Sequence, residues 1–388
     1  MFTPVETSIG AILLHQATSI LLYNNGTILG ASEYMRRLAS RPTVGVAAFF
    51  AGMVASFPLL RVVLPELLTK YPPPPSTSGQ ALVTVAMGLL VGWGTKAAHG
   101  CTSGHMLCGL SRLNARSALA VATFFPLAIV THHLVHPTLM TTVCTGDRPC
   151  YTATYPTQVT TTLLVTLAAI TIAAGRLIPR IVARLSEDAK KAEDKSDDTS
   201  LARHATELLA GLEFGLGLHI TQMSNPAKVA AFLSFPRLEV WDPSMMLVIA
   251  FGILPSLFEN LSKGFNNPPR FTKKYELGNK TIADTDWKLV LGAAAFGIGW
   301  GLSEEQATQW EEKLADYTNR HKISGTPKFW SLYWTPPQVQ IRSHPRVMEA
   351  MKCMSQLWTV TCPSIPIDLA SQIAYSDQLR IPLPSEGS

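Results

Sequence analysis

Thr161-Thr-Leu-Leu-Val-Thr-Leu-Ala-Ala-Ile-Thr-Ile-Ala-Ala-Gly-Arg-Leu177 carries a single charge, Arg176, close to its end. A helix that crosses a bilayer needs roughly twenty mostly apolar residues. This run and Ala118–Val135 are the clearest candidates. Working outward, Ile9–Tyr23, Val44–Leu60, Ala81–Ala98, Leu208–Ile220, Met245–Leu257 and Leu289–Leu302 read as further spans. The first is interrupted by His15 and Gln16. The later ones are short, as expected of segments that pair with re-entrant pieces or line a cavity. The expected fold is an all-α polytopic membrane protein of about eight spanning helices.

Composition agrees. Charged residues are 15% of the chain, against roughly 25% for a soluble domain. Hydrophobic residues are 47%, and the mean hydropathy is +0.18. The charges gather in connecting segments and after about residue 303. The net charge is +5, and no basic run is interleaved with aromatics, so a nucleic-acid partner is not expected. The start, MFTPVETSIG, lacks a basic region, so no cleavable signal peptide is expected.

The charged segment Ser186–Ser200, SEDAKKAEDKSDDTS, has no apolar period and reads as exposed and mobile. It divides a first membrane repeat, 1–185, from a second, 206–303, with 186–205 as linker and 304–388 as a small soluble tail. Basic residues set orientation. Arg36, Arg37 and Arg41 follow the first span, and Arg112 and Arg116 precede the fourth. Arg176, Arg180, Arg184, Lys190 and Lys191 follow the fifth, and Lys263, Arg270, Lys273 and Lys274 precede the last. Alternating crossings bring all four groups to one side, read as cytoplasmic, in the plasma membrane. The loop between Cys144 and Cys150 then faces outward, and the two thiols either pair there or stay free.

Gly88-Leu-Leu-Val-Gly92-Trp-Gly94 recurs as Gly211-Leu-Glu-Phe-Gly215-Leu-Gly217, and loosely as Ala293-Ala-Ala-Phe-Gly297-Ile-Gly299. Small residues four apart let helix backbones approach closely in lipid. The recurrence is also that of repeats around a central path. Trp93 and Trp300 beside these motifs read as packing or interface anchors, and His132, His133 and His136 as interfacial rather than metal-ligating.

The segment that carries chemistry is Gly92-Trp-Gly-Thr-Lys96-Ala-Ala-His99-Gly100-Cys101-Thr102-Ser103-Gly104-His105. Glycines, hydroxyls and a thiol at a helix end leave N–H donors free to face an anion. Cys101, Thr102, Ser103, His99 and His105 add side-chain donors. The bland alternative is a capped surface loop. The second half has a counterpart, Thr221-Gln222-Met223-Ser224-Asn225-Pro226-Ala227-Lys228. Pro226 fits a first helical turn, with Ser224 or Asn225 as cap. Lys228 either steers an anion or snorkels to the interface, the reading favoured slightly.

Gly100-Cys-Thr-Ser-Gly-His105, continuing through Gly109-Leu-Ser-Arg112 to Arg116–Phe125, closely resembles the YeeE/YedE sulfur-transport family. Asn25–Ser32 looks like its N-terminal motif, Met223–Phe235 with Trp241–Ser244 like its second-half motif, and Phe296–Ser303 like the start of its last one. The resemblance covers roughly residues 8 to 303. It implies an inverted-repeat protein that takes up thiosulfate, passed along pathway cysteines, with no cofactor and no enzymatic activity. Cys101 maps onto such a position; the family's N-terminal cysteine has no match here, and Gln222 replaces a usual glycine. The expected substrate contacts are Cys101, Gly100, Thr102, Ser103, Gly104, His105, His99, Ser224 and Lys228.

After Ser303 the family's Cys-Pro-Gly-Pro element and last helix give way to Glu304-Glu-Gln-Ala-Thr-Gln-Trp-Glu-Glu-Lys-Leu, which reads as an amphipathic soluble helix. Trp330–Trp334, Arg342–Pro345 and Ile367–Arg380 look like the N-terminal region of an uncharacterised family in the iron/2-oxoglutarate oxygenase class. His321 and His344 provide no His-x-Asp, so oxygenase activity is not expected. The primary expectation is uptake of thiosulfate or a related small sulfur anion. The alternative is a non-transporting remnant or fusion product with an inactive tail.

Overall fold

Thr43 and Asn114 start two apolar helices in the same way. Thr43 Oγ1 accepts from the Val46 N–H at 3.3 Å, and Asn114 Oδ1 from the Ser117 N–H at 3.0 Å, each satisfying a donor the helix itself leaves open. The computed structural model describes residues 1–68, 78–135, 149–193, 200–277 and 286–303, with backbone alone for Gln80, 186–193, Ser200 and Ser303. All of them lie within one unit, Met1–Lys322. The tail, Cys144 and His136 fall outside the described residues.

The helices in chain order are α1 Pro4–Asn25, α2 Ala31–Ser40, α3 Val44–Val63, α4 Ser78–Ala98, α5 Ala115–Val135, α6 Gln158–Glu193, α7 Ser200–Ile220, α8 Pro226–Leu233, α9 Ser244–Val248, α10 Leu254–Lys263 and α11 Trp287–Ser303. A wide helical turn, Ser103–Gly109, precedes α5, and another, Ile249–Ile253, joins α9 to α10. The only β-pairing among the described residues is one bridge, Phe2 to Ala153. The molecule is an all-α membrane protein. Among the described residues, six helical segments are long and apolar enough to cross a bilayer: Pro4–Asn25, Val44–Val63, Ala81–Ala98, Ala115–Val135, Gln158–Leu185 and Ser244–Lys263. The expected spans 208–220 and 289–302 are also helical. The first lies in α7 beside Glu207 and Glu213, and the second is a shorter apolar helix.

His15 and Gln16, which weakened the first span in the sequence, are placed against partners. His15 Nδ1 lies 2.7 Å from Ser256 Oγ, and Gln16 Oε1 accepts from Arg176 Nε and Nη2 at 3.1 and 2.9 Å. α1 is therefore a central helix, packed on α6, α7 and α9–α10. The charged linker begins later than expected. α6 continues to Glu193, through a stretch whose alanines, lysines and glutamates are good helix formers.

The glycine motifs divide by role. α7 lies against α3 and α1: a Cβ at Gly211 would overlap Phe49 O, one at Gly52 would overlap Leu208 O, and one at Gly217 would meet Leu14 Cδ2 at 2.7 Å. α11 lies against α4 and α5, with Gly292 on Ala98, Gly297 on Phe124 and Gly301 on Ala128. In the first copy Gly94 packs on Phe296. Gly88 and Gly92 face open space instead. Two bundles result, one of α1, α3, α6 and α7 and one of α4, α5 and α11, so segments 1–185 and 206–303 interleave.

The basic groups meet at one end. Asn25 Nδ2 donates to Arg203 O, the Arg270 N–H to Tyr23 O, and Asn260 Nδ2 to Ser111 O. At the other end the Phe2 N–H donates to Cys150 O, and the Cys150 N–H to Glu239 O. Cys150 is buried and disulfide-bonded.

Candidate functional site

Three long helices end on a residue with left-handed backbone: α1 at Gly26 (φ 70°), α4 at His99 (φ 60°), and α7 just before Gln222 (φ 59°). Each is followed by a short helix, α2, the turn Ser103–Gly109, and α8. Aligned on the left-handed residue, Cys101 corresponds to Ser224, Thr102 to Asn225 and His105 to Lys228. Asn225 is the cap of α8, its Oδ1 accepting from the Ala227 N–H at 3.1 Å. Gln222 occupies a backbone conformation that favours glycine, and its Nε2 donates to Leu67 O and His219 O at 2.7 and 3.0 Å.

Cys101 stands where the first two breaks meet. Its Sγ is 3.2 Å from Ser103 Oγ, and Ser103 Oγ accepts from the Ala31 N–H at 3.0 Å. Ser32, at the start of α2, also hydrogen-bonds the thiol. Burial pushes the thiol up, but the hydrogen bonds from Ser103 and Ser32 outweigh it and hold Cys101 below the ordinary thiol value. The positive end of α2 thus points at the sulfur.

The thiol lies on the wall of a cavity of about 1770 Å³ between the two bundles. His99, Gly100, Cys101, Thr102 and Ser103 all line it, with Gly88 and Gly92 opening its α4 wall. The rest is apolar and rich in sulfur: Met35, Met53, Met106, Met223, Met245 and Met246 share the wall with Phe125 and Phe232. Trp93 and Trp300, expected as anchors, also reach it. Arg36, Lys96 and Lys288 offset Glu33 and Asp286 on the wall. Arg36 Nε donates to Glu33 Oε2 at 2.8 Å.

His105 does not line the cavity. It braces the break: one ring nitrogen is 3.2 Å from Ala98 O, the other 3.1 Å from Ser117 Oγ. Gly100 leaves it room, since a Cβ there would lie 2.8 Å from His105 Nε2. Gly104 and Ser224 are likewise not among the cavity residues. Lys228 neither snorkels nor reaches the cavity. It is buried at the end away from the basic groups, donating to Thr3 Oγ1 at 2.5 Å and Met1 O at 3.2 Å, and paired with Asp242 at 3.5 Å. The Asp242 partner explains the difference: a paired charge can stay inside where a lone one must reach water. His132 is buried against Ser234 Oγ at 3.2 Å, and His133 lies 2.8 Å from Phe235 O. Ser32, the methionine wall and the Lys228–Asp242 pair were not legible as site features. Each depends on segments far apart in the chain.

A family of unknown function, DUF6691, matches residues 204–308, and a Gig2-like family matches residues 298–388. A protein named "Probable transporter" from Xylella fastidiosa strain Temecula1 is 38% identical over 118 residues, 30% of this chain and 83% of the relative. A second "Probable transporter" of that strain is 32% identical over 104 residues, 27% of this chain and 68% of the relative. The chain belongs to this family of probable transporters. Both relatives are much shorter than this chain. A further member, from strain 9a5c, is 36% identical over 118 residues, 30% of this chain and 83% of its own length. No solved structure matches the chain. Membrane spans, a cavity between bundles and transporter relatives together make this an integral membrane protein of transport.

Proposed function

We propose that the transporter takes up thiosulfate or a closely related small sulfur anion, with Cys101 as the principal contact. The observation that carries this reading is the Cys101 thiol on the cavity wall, backed by Ser103 and Ser32, in a cavity that methionines also line. A thiol is a weak, polarisable donor suited to a soft sulfur anion. The α2 terminus adds N–H donors and a favourable dipole. His99, Gly100, Thr102 and Ser103 share the wall and complete the contact set, while His105 and Gly104 shape the turn that holds it.

The test is thiosulfate uptake in cells lacking their own importer. Wild-type chain is expected to restore uptake and Cys101→Ala to lose it, with equal amounts of both in the membrane. Undiminished uptake by Cys101→Ala would remove the thiol from the path. An inward-moving anion works against an inside-negative potential, about 2.3 kcal/mol per charge per 100 mV. A dianion therefore needs a compensating ion.

A further inference from the structure

Glu213 lies in the middle of α7 and is fully buried. Both carboxyl oxygens lack a hydrogen-bond partner among the described residues. Bare packing does not call for a carboxyl here. In the other two copies of the glycine motif the corresponding residues are Leu90 and Ala295. The surroundings are shaped to admit it. Gly175 of α6 faces the carboxyl, and a Cβ there would overlap Glu213 Oε1 and meet Ile20 Cδ1 at 3.3 Å. Gly211 and Gly217 lock α7 against α3 and α1, so the side chain cannot turn out to lipid without breaking both crossings.

The helices packed on α7 are α1, α3 and α6. Among residues with described side chains, their titratable and charged groups are Glu6, His15 and Tyr23 on α1, Arg61 on α3, and Arg176, Arg180 and Arg184 on α6; α7 itself adds Arg203, His204, Glu207 and His219. Arg176 is the one whose charge bears on Glu213. Its guanidinium is engaged with Gln16 Oε1 rather than with the carboxyl, and Gln16 Nε2 has no partner among the described residues. An ionised carboxylate in such a place is very costly, whereas the neutral acid is tolerated. The next residue, Phe214, lies on the cavity wall, as does Leu218. Successive helical residues point about 100° apart, so α7 carries the cavity wall on one face and the acid on another.

We propose that Glu213 is an intramembrane proton-binding site, and that its proton travels inward with the anion that passes Cys101. This rests on the transport reading above. The proton is taken up by the carboxylate from the outer side and released from the carboxylic acid on the inner side, with no redox change. It offsets one negative charge that would otherwise move against the membrane potential. On the inner side α1 and α10 supply exchangeable groups. His15 Nε2 is 3.7 Å from Glu259 Oε2, Ser19 Oγ donates to Glu259 at 2.5 Å, and Glu259 pairs with exposed Lys263.

The experiment uses the full chain in proteoliposomes that contain a pH-sensitive dye, with labelled thiosulfate as probe. Wild-type protein is expected to acidify the lumen as thiosulfate enters, and to run faster from an acidic outside. Glu213→Gln, neutral and of the same shape, is expected to lose the acidification and the pH dependence while still exchanging thiosulfate across vesicles loaded with it, which also shows that it is folded. Thiosulfate entry by the wild type without proton movement would overturn the proposal, and so would unchanged acidification by Glu213→Gln. If the wild type moves no thiosulfate at all, the transport reading fails. Infrared difference spectra over a pH titration then decide Glu213 separately. A buried carboxylic-acid band that Glu213→Gln lacks would uphold the proton site, and its absence would overturn it.

Discussion

At the scale of single residues, Cys101 works as a donor only while it holds its proton. Its thiol is held below the ordinary value by Ser103 and Ser32 against the opposing effect of burial. The neutral form, present below that pKa, donates to an anion; the thiolate, formed as pH rises through it, repels one. Uptake is therefore expected to fall on the alkaline side. Ser103→Ala removes the hydrogen bond that lowers the pKa, so the fall is expected at higher pH in that variant. Uptake measured against pH for both proteins checks this. A loss of proton supply to Glu213 would leave the two profiles coincident. The residue pattern 99–105 already marked this place in the sequence. It did not reveal that His105 uses both ring nitrogens on Ala98 O and Ser117 Oγ, because only folding brings the end of α4 and the start of α5 to the two sides of the ring.

At the scale of elements, the same glycine spacing serves two purposes. Gly211 is in contact with Phe49 O, whereas a Cβ at Gly92 would meet nothing within 4 Å. Gly211→Val is expected to overpack the α3–α7 crossing, costing about 1–3 kcal/mol or more, and to lower folded yield and melting temperature in detergent. Gly92→Val is expected to leave both unchanged and to slow uptake by intruding on the cavity. Measuring thermal stability and transport together separates the roles; equal stability losses would contradict the division. Repetition of the motif was readable along the chain. Which copies touch a neighbour is decided by helix pairing, since a glycine's partner lies on another helix.

At the scale of the whole molecule, two bundles built from interleaved segments enclose the cavity, and α11 completes the one that carries α4 and α5. The described part ends at Ser303, and the Gig2-like match takes over from residue 298. The helix that the sulfur-transport resemblance expects after this point is replaced in sequence by Glu304-Glu-Gln-Ala. If that replacement weakens transport, substituting residues after Ser303 with the C-terminus of a complete family member is expected to raise the uptake rate. Equal rates, at equal membrane abundance, would mean that the native tail is compatible with a working path.

Apolar run lengths and the scarcity of charge within them were enough to determine an all-α membrane protein. These follow from the cost of exposing backbone and charge to lipid, and each is paid locally along the chain. The tertiary structure decided where polar side chains end up. Lys228 became an internal ion pair because Asp242 folds over it, Gln16 became an internal acceptor for Arg176, and Glu213 was enclosed beside Gly175 with no partner among the described residues. A polar group at membrane depth has its energy set by the nearest group on another helix, and that neighbour is fixed only when the helices pack.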